Sequence, residues 1–163
     1  MILSGEQLIS PLEVEMVDLF VNLAGVFGMP RSVGEIYGLL FVATAPLSMD
    51  AIGAKLQISA GSASQGLRLL RSFRAVKSQY VAGERREHFV AETELRTVLS
   101  GLLKEQVYPH LESGTERLQR MHEIVKTMPI ADRHIAEGKI QKLERWNEVV
   151  QGVLPLVQGL AGT

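Results

Sequence analysis

No cysteine occurs among the 163 residues, which excludes disulfides, thiolate zinc sites, cysteine nucleophiles and thiol redox switches. Nor does any apolar run approach the roughly 18 residues that a membrane-spanning helix needs. The opening stretch, "MILSGEQLISPLEVE", lacks both a basic flank and a small-residue cleavage site. No secretory signal is therefore expected, and a cytoplasmic location is the default. The four histidines, His88, His110, His122 and His134, have no i,i+4 partner among themselves and no HExxH-type neighbour, so no metal site is expected. Glycines stand singly rather than in a phosphate-binding loop, and no serine occupies a G-x-S-x-G elbow. Internal repeats and low-complexity tracts are also missing. With no catalytic constellation, the expectation is a non-enzyme without a cofactor.

What remains is an ordinary globular composition, 46% apolar and 21% charged. The net charge of −1 hides an uneven distribution: residues 31–90 carry eight Lys/Arg against four Asp/Glu, and the rest carry nine against fourteen. A basic middle between acidic flanks suits a module that meets nucleic acid.

The middle is also where the pattern is most informative. "SPLE" announces a first helix: Ser10 caps it, Pro11 suits its first position and Glu13 closes a capping box. Leu12, Met16, Leu19, Phe20, Leu23, Val26 and Phe27 then recur at helical spacing until Gly28 and Pro30. A second box, "SVGE" (Ser32, Glu35), opens a helix through Ile36, Leu39, Leu40 and Phe41 to about Thr44. Ser48 caps a short helix with Ile52 and Leu56 inward, "QIS" turns the chain, and Ser59 caps the next helix, which runs to about Arg74. "VKSQYV" and "REHFVAE" alternate apolar and polar residues around the turn "AGER", which reads as a β-hairpin. A further helix starts at Thr93. Pro109 is expected to kink or end it, and Leu111, Leu118, Met121, Val125 and Met128 continue the stripe beyond. A last helix runs from about Asp132 through Ile135, Leu143, Trp146, Val150 and Val153, with its end bent at Pro155.

Helix, helix, turn, helix, hairpin is the order of a winged helix-turn-helix. At 100° per residue, Ala63, Leu67 and Leu70 share one stripe of the helix after the turn, with Gly66 beside it. Opposite lie Gly61, Gln65, Arg68 and Ser72, with Ser62 and Ser64 at the margins. Small residues permit close approach to a groove, Gln65 can pair with adenine and Arg68 with guanine. Ser59 and Ser62, near the helix N-terminus, can hold a phosphate together with free amides. Arg85 and Arg86 at the hairpin tip suit a phosphate or minor-groove contact. Arg71, Arg74 and Lys77 fit either DNA or surface salt bridges.

These residues resemble a known family. The helix "GEIYGLLF" (Gly34 to Phe41), the entry "LSMDAI" (Leu47 to Ile52), the helix "ISAGSASQGLRLL" (Ile58 to Leu70) and the later "ERREHFVAE" are similar to the DNA-binding domain of GbsR-type repressors in the MarR superfamily. The resemblance covers about residues 12–95; the last third matches only in being long helices. It implies a bacterial or archaeal transcriptional regulator that binds a pseudo-palindrome in double-stranded DNA as a homodimer. By position it carries over Ser62, Ser64, Gln65 and Arg68 as readers, and Arg85 and Arg86 as wing contacts. A small-molecule effector is a further implication, with repression as the family's expectation. A quaternary ammonium effector would need an aromatic cage. Phe20, Phe27, Tyr37 and Trp146 are the rings available, each equally suited to core or interface, and that ligand is not carried over.

The expected fold class is mainly α with a small β-hairpin. Residues 1–30 would contribute a helix to dimerisation, 31–92 the winged helix-turn-helix, and 93–163 the long C-terminal dimerisation helices. The apolar stripes of residues 95–128 and 135–157 exceed what so small a domain can cover, which favours pairing with a second copy. The competing reading is a winged helix used for protein–protein contact in a larger assembly.

Overall fold

The computed structural model describes residues 9–162. The leader reading concerns mainly residues 1–8 and lies outside them. The chain divides into two units, Met1–Val98 and Leu99–Thr163.

In the first unit, α1 (Pro11–Val26) starts on the expected capping box. The Ser10 amide donates to Glu13 Oε2 at 2.6 Å and the Glu13 amide donates to Ser10 Oγ at 3.2 Å. Glu13 also accepts from Lys55 Nζ at 2.6 Å, which ties the start of α1 to the later segment that carries Lys55. Burial pushes the Glu13 carboxyl up, but the hydrogen bonds from Lys55 and Ser10 outweigh it and hold the group below its ordinary value. The helix ends before Gly28, whose φ of +66° glycine adopts at little cost. Its apolar residues divide between two faces. Val17 and Ala24 are buried, whereas Leu12, Leu19, Leu23, Val26 and Phe27 are exposed.

The second helix, α2 (Arg31–Val42), corrects one expectation. No box forms at Ser32 and Glu35: the cap is Pro30, without a side-chain hydrogen bond, and Glu35 pairs with Arg31 at 2.6 Å instead. Starting the helix two residues early puts Ser32 in its first turn, where it cannot act as a cap. The helix also stops at Val42, short of Thr44. Against α1 the contact is backbone to backbone. A Cβ on Gly34 would come 2.5 Å from the Phe20 carbonyl oxygen and the Val21 Cα, and one on Gly38 would come 2.7 Å from the Met16 carbonyl oxygen. The Gly-x-x-x-Gly spacing sets both notches on one helix face.

Next come β1 (Leu47–Ser48), α3 (Met49–Leu56) and α4 (Ala60–Ser72). Ser48 caps α3 by accepting from the Ala51 amide, and Gln57 turns the chain in the left-handed region at φ +54°. Ile52 is fully buried, while Leu56 is only half-buried. Helix α4 ends at Ser72 rather than Arg74, which takes a left-handed φ of +62° beyond it. The hairpin forms from β2 (Val76–Gln79) and β3 (His88–Ala91), antiparallel with Ser78 opposite Phe89. It is part of a three-stranded sheet ordered β1-β3-β2, in which Leu47 also opposes Phe89. Two residues, the second of them a helix cap, carry no readable alternation, so β1 leaves no trace in the pattern. Ile36, Leu39, Ile52 and Leu70 are the largest fully buried side chains.

Helix α5 (Leu95–Leu102) starts two residues after Thr93, and Pro109 does not end the helical course. A π-helical turn, Leu103–Val107, precedes α6 (Tyr108–Val125), with Pro109 in the first turn of α6. Widening the turn there accommodates a residue that has no amide donor and crowds the preceding carbonyl. In the second unit α6 packs on α7 (Ile130–Gly162) through Leu118, Val125 and Ile140, joined by Met128 and Ala136. Polar contacts fix the register. Thr115 Oγ1 accepts from Asn147 and Gln151 at 3.0 Å each, and His122 meets Glu144 at 2.6 Å. The last helix begins before Asp132 and runs through Pro155 to Gly162.

The glycine notches lead to a stability prediction. Gly34→Ala or Gly38→Ala should lower stability by about 1–3 kcal/mol, as overpacking does. Gly114→Ala, in a helix with nothing within 4 Å of the new methyl, should raise it by roughly 0.5–1 kcal/mol. Urea denaturation of the three variants measures both signs.

Candidate nucleic-acid interface

The helical-wheel expectation for α4 meets the structure residue by residue. Ala63, Gly66, Leu67 and Leu70 are buried, and Gly61, Gln65, Arg68 and Ser72 are exposed, with Ser62 and Ser64 half-buried. Gly66 lets α4 approach α2 so closely that a Cβ there would sit 2.5 Å from Ile36 Cδ1. One stripe of α4 is therefore core, and the opposite stripe is small and polar.

The helix start is organised by its own serines. Ser59 Oγ accepts from the Ser62 amide at 3.1 Å and donates to Ser62 Oγ at 3.0 Å. The capping oxygen is thus occupied, and the Ser62 hydroxyl is the one whose proton is directed elsewhere. Gln65 and Arg68, one turn along, have no hydrogen-bond or ion-pair partner among the described residues. They are the groups best placed to bind something outside the chain.

The remaining arginines separate into two kinds. Arg85, in the loop between β2 and β3, is exposed and unpaired among the described residues, as are Arg74 and Lys77. Arg86 is paired with Asp50 of α3 at 2.5 Å. Arg71 is paired with Glu87 at 3.2 Å, and Glu87 also accepts a hydrogen bond from Ser78 of β2. Both acids were invisible as site residues, because a lone Asp or Glu in a basic segment gives no hint of which cation it will meet. A cleft of about 250 Å³ between α4 and the sheet is lined by Ser64, Arg68, Arg71 and Glu87 over Met49, Leu67 and Phe89.

The four aromatic candidates do not all gather. Phe20 and Tyr37 meet edge to face with centroids 4.6 Å apart, and Phe41 joins them at 5.3 and 5.8 Å. Sequence reasoning omitted Phe41, although it lies one helical turn from Tyr37. Phe27 is exposed at the end of α1, and Trp146 is exposed on α7 in the second unit. Neither takes part in a ring contact among the described residues. There, too, no group of three or more His, Cys, Asp or Glu residues gathers to hold a metal ion, and no helix is long and apolar enough to cross a membrane.

Comparison with known proteins places this geometry in context. No family model matches the chain. Over 77 residues it is 31% identical to the HTH-type transcriptional repressor GbsR of Bacillus subtilis (strain 168), an alignment covering 47% of this chain and 42% of that protein. The chain thus spans less than half the length of the curated relative it matches. A solved structure described as a transcriptional regulator aligns over 89% of this chain and 97% of its own, with a TM-score of 0.55 and 19% identity. That likeness is one of fold, mostly helical with a small antiparallel sheet. A Staphylococcus aureus MepR mutant bound to an oligodeoxyribonucleotide aligns over 81% of this chain and 89% of its own at 15% identity, with a TM-score of only 0.42.

One buried contact holds the wing to the core. Tyr37 donates from its hydroxyl to the Glu92 carbonyl just after β3, at 2.7 Å. Burial, aided by the Glu92 charge, pushes the phenol up to about 12. Tyr37→Phe should cost roughly 1 kcal/mol by leaving that carbonyl without its donor, measured by urea denaturation at pH 7. Because the folded-state value is raised, the phenol's contribution should be complete below pH about 10 and disappear as pH climbs toward 12. Tyr37→Phe should lack that alkaline loss.

Proposed function

We propose that this chain is a sequence-specific DNA-binding transcriptional regulator, a ligand-responsive repressor that binds a pseudo-palindromic operator as a homodimer. The observation that carries the reading is the two-sided α4. Its inner stripe is locked into the core, and its outer stripe presents Gln65 and Arg68 with no partner among the described residues. A helix so divided, preceded by a turn and followed by a hairpin, fits the major groove with its N-terminal half. Ser62, Ser64, Gln65 and Arg68 are the proposed readers, with Ser59 holding the helix start. Arg85 is the wing's free phosphate contact, while Arg71 and Arg86 must exchange a carboxylate for a phosphate to join it. Repression follows the relative's name, and the effector is a small molecule of unassigned chemistry. The chain acts by binding, without catalysis, in the cytoplasm.

Homodimerisation has support from two exposed stripes. On α7, Leu143, Trp146, Val150, Val153, Val157 and Leu160 follow one another at alternating steps of three and four residues, the seam of a helix meant for another helix. All but Val157 are exposed. On α1, Leu12, Leu19, Leu23 and Val26, at steps of seven, four and three, are likewise exposed. A winged helix at residues 31–92, with residues 1–30 and 93–163 supplying the paired helices, is the proposed organisation.

Selection of bound duplexes from a random pool, followed by salt titration, tests DNA binding directly. Neutralising several phosphates should give a steep negative slope of affinity against salt. Arg68→Ala should reduce discrimination between selected and random duplexes by about tenfold or more, the value of one bidentate base contact. Unchanged binding to every duplex would remove α4 as the reader. Absence of duplex binding even at low salt would turn the reading to a protein–protein module.

The pairing is checked separately. Val150→Glu together with Val153→Glu should convert a dimer into a monomer in sedimentation velocity at micromolar concentration, since charge on both seam positions opposes burial. A wild-type chain that already sediments as a monomer overturns the proposed pairing.

A further inference from the structure

Glu87 is the residue immediately before β3, and its carboxylate faces two elements at once. Oε1 accepts from Ser78 Oγ in β2 and from Arg71 Nη1 near the end of α4. The same carboxylate lines the cleft beside Ser64 and Arg68. An anion therefore stands inside the surface assigned to DNA, where charges act over roughly 8–10 Å at physiological salt.

A brace between α4 and the sheet would need only the two hydrogen bonds, which a neutral amide oxygen also accepts, though more weakly. A negative charge has a second effect. It cancels Arg71 and repels approaching phosphates, which are present at every site of every duplex and carry no sequence information. Exposed pairs of this kind are weak, so the correct duplex can still displace the carboxylate once Gln65 and Arg68 are seated.

Resting on the DNA-binding reading above, we propose that Glu87 is a specificity-determining residue. It withholds Arg71 from indiscriminate phosphate contact, so that tight binding depends on the base-facing groups of α4.

Glu87→Gln isolates the charge, because its amide oxygen still accepts from Ser78 and Arg71. The experiment measures affinity for the selected duplex and for a scrambled duplex between 50 and 200 mM KCl. On the scrambled duplex, one released arginine should steepen the salt slope by about 0.9, a further three- to fourfold loss of affinity over that range. Scrambled-duplex binding at 50 mM should tighten by about threefold and the selected duplex should change less, so their ratio falls. Arg71→Gln added to Glu87→Gln should return the scrambled-duplex slope to the wild-type value.

A wild-type slope and ratio in Glu87→Gln overturns the proposal. So does an equal weakening on both duplexes, which would make Glu87 a structural brace. A wild-type protein without salt-dependent duplex binding refutes the DNA-binding reading itself, and that failure appears before any variant is made.

Discussion

The first unit depends on α2. Of its twelve residues, Val33, Gly34, Ile36, Tyr37, Gly38, Leu39 and Leu40 are buried, an unusual share for a helix in so small a unit. Gly34 and Gly38 admit the backbone of α1 on one side, and Ile36 meets α4 at Gly66 on another. Tyr37 reaches the chain just after β3. Every element that presents the proposed DNA face is thus referred to one buried rod. Neighbours that approach to backbone distance have little freedom to shift, because dense interiors resist deformation.

That rigidity bears on recognition. A reading helix discriminates bases only if its side chains arrive in a fixed register, and α4 is fixed along its inner stripe by Ala63, Leu67 and Leu70. The outward face combines free groups, Gln65, Arg68 and Arg85, with cations already engaged by Glu87 and Asp50. A face of arginines alone would bind any duplex. In the proposed function, interleaved carboxylates would lower that background, so that base contacts account for a larger fraction of the binding free energy.

Much of this was legible from residue order. The capping serines Ser10, Ser48 and Ser59 act as caps, because a short oxygen ahead of an apolar-periodic run has one good use. The outward set on α4 follows from 3.6-residue periodicity alone. Other readings failed where a local signal was outweighed. "SVGE" has the letters of a capping box, yet Pro30 starts the helix earlier and Glu35 turns to Arg31. Pro109, expected to kink or end its helix, does not end the helical course but enters the first turn of α6 behind a π turn. The short β1 pairs only because β3 lies beside it. The exposed side of α1 is similar: its apolar spacing is evident, but which half faces α2 depends on where the glycines of α2 lie.

Sequence by itself determined the helices and the hairpin, though neither β1 nor the π turn, together with their order and the two faces of α4, since these rest on periodicity, caps and turn chemistry acting over a few residues. Tertiary structure alone decided which cations are free and which are held. The partners Arg71–Glu87 and Arg86–Asp50 are separated by 16 and 36 positions in the chain. Charges that far apart meet only after the helices and the sheet have packed, because a salt bridge depends on distance in space.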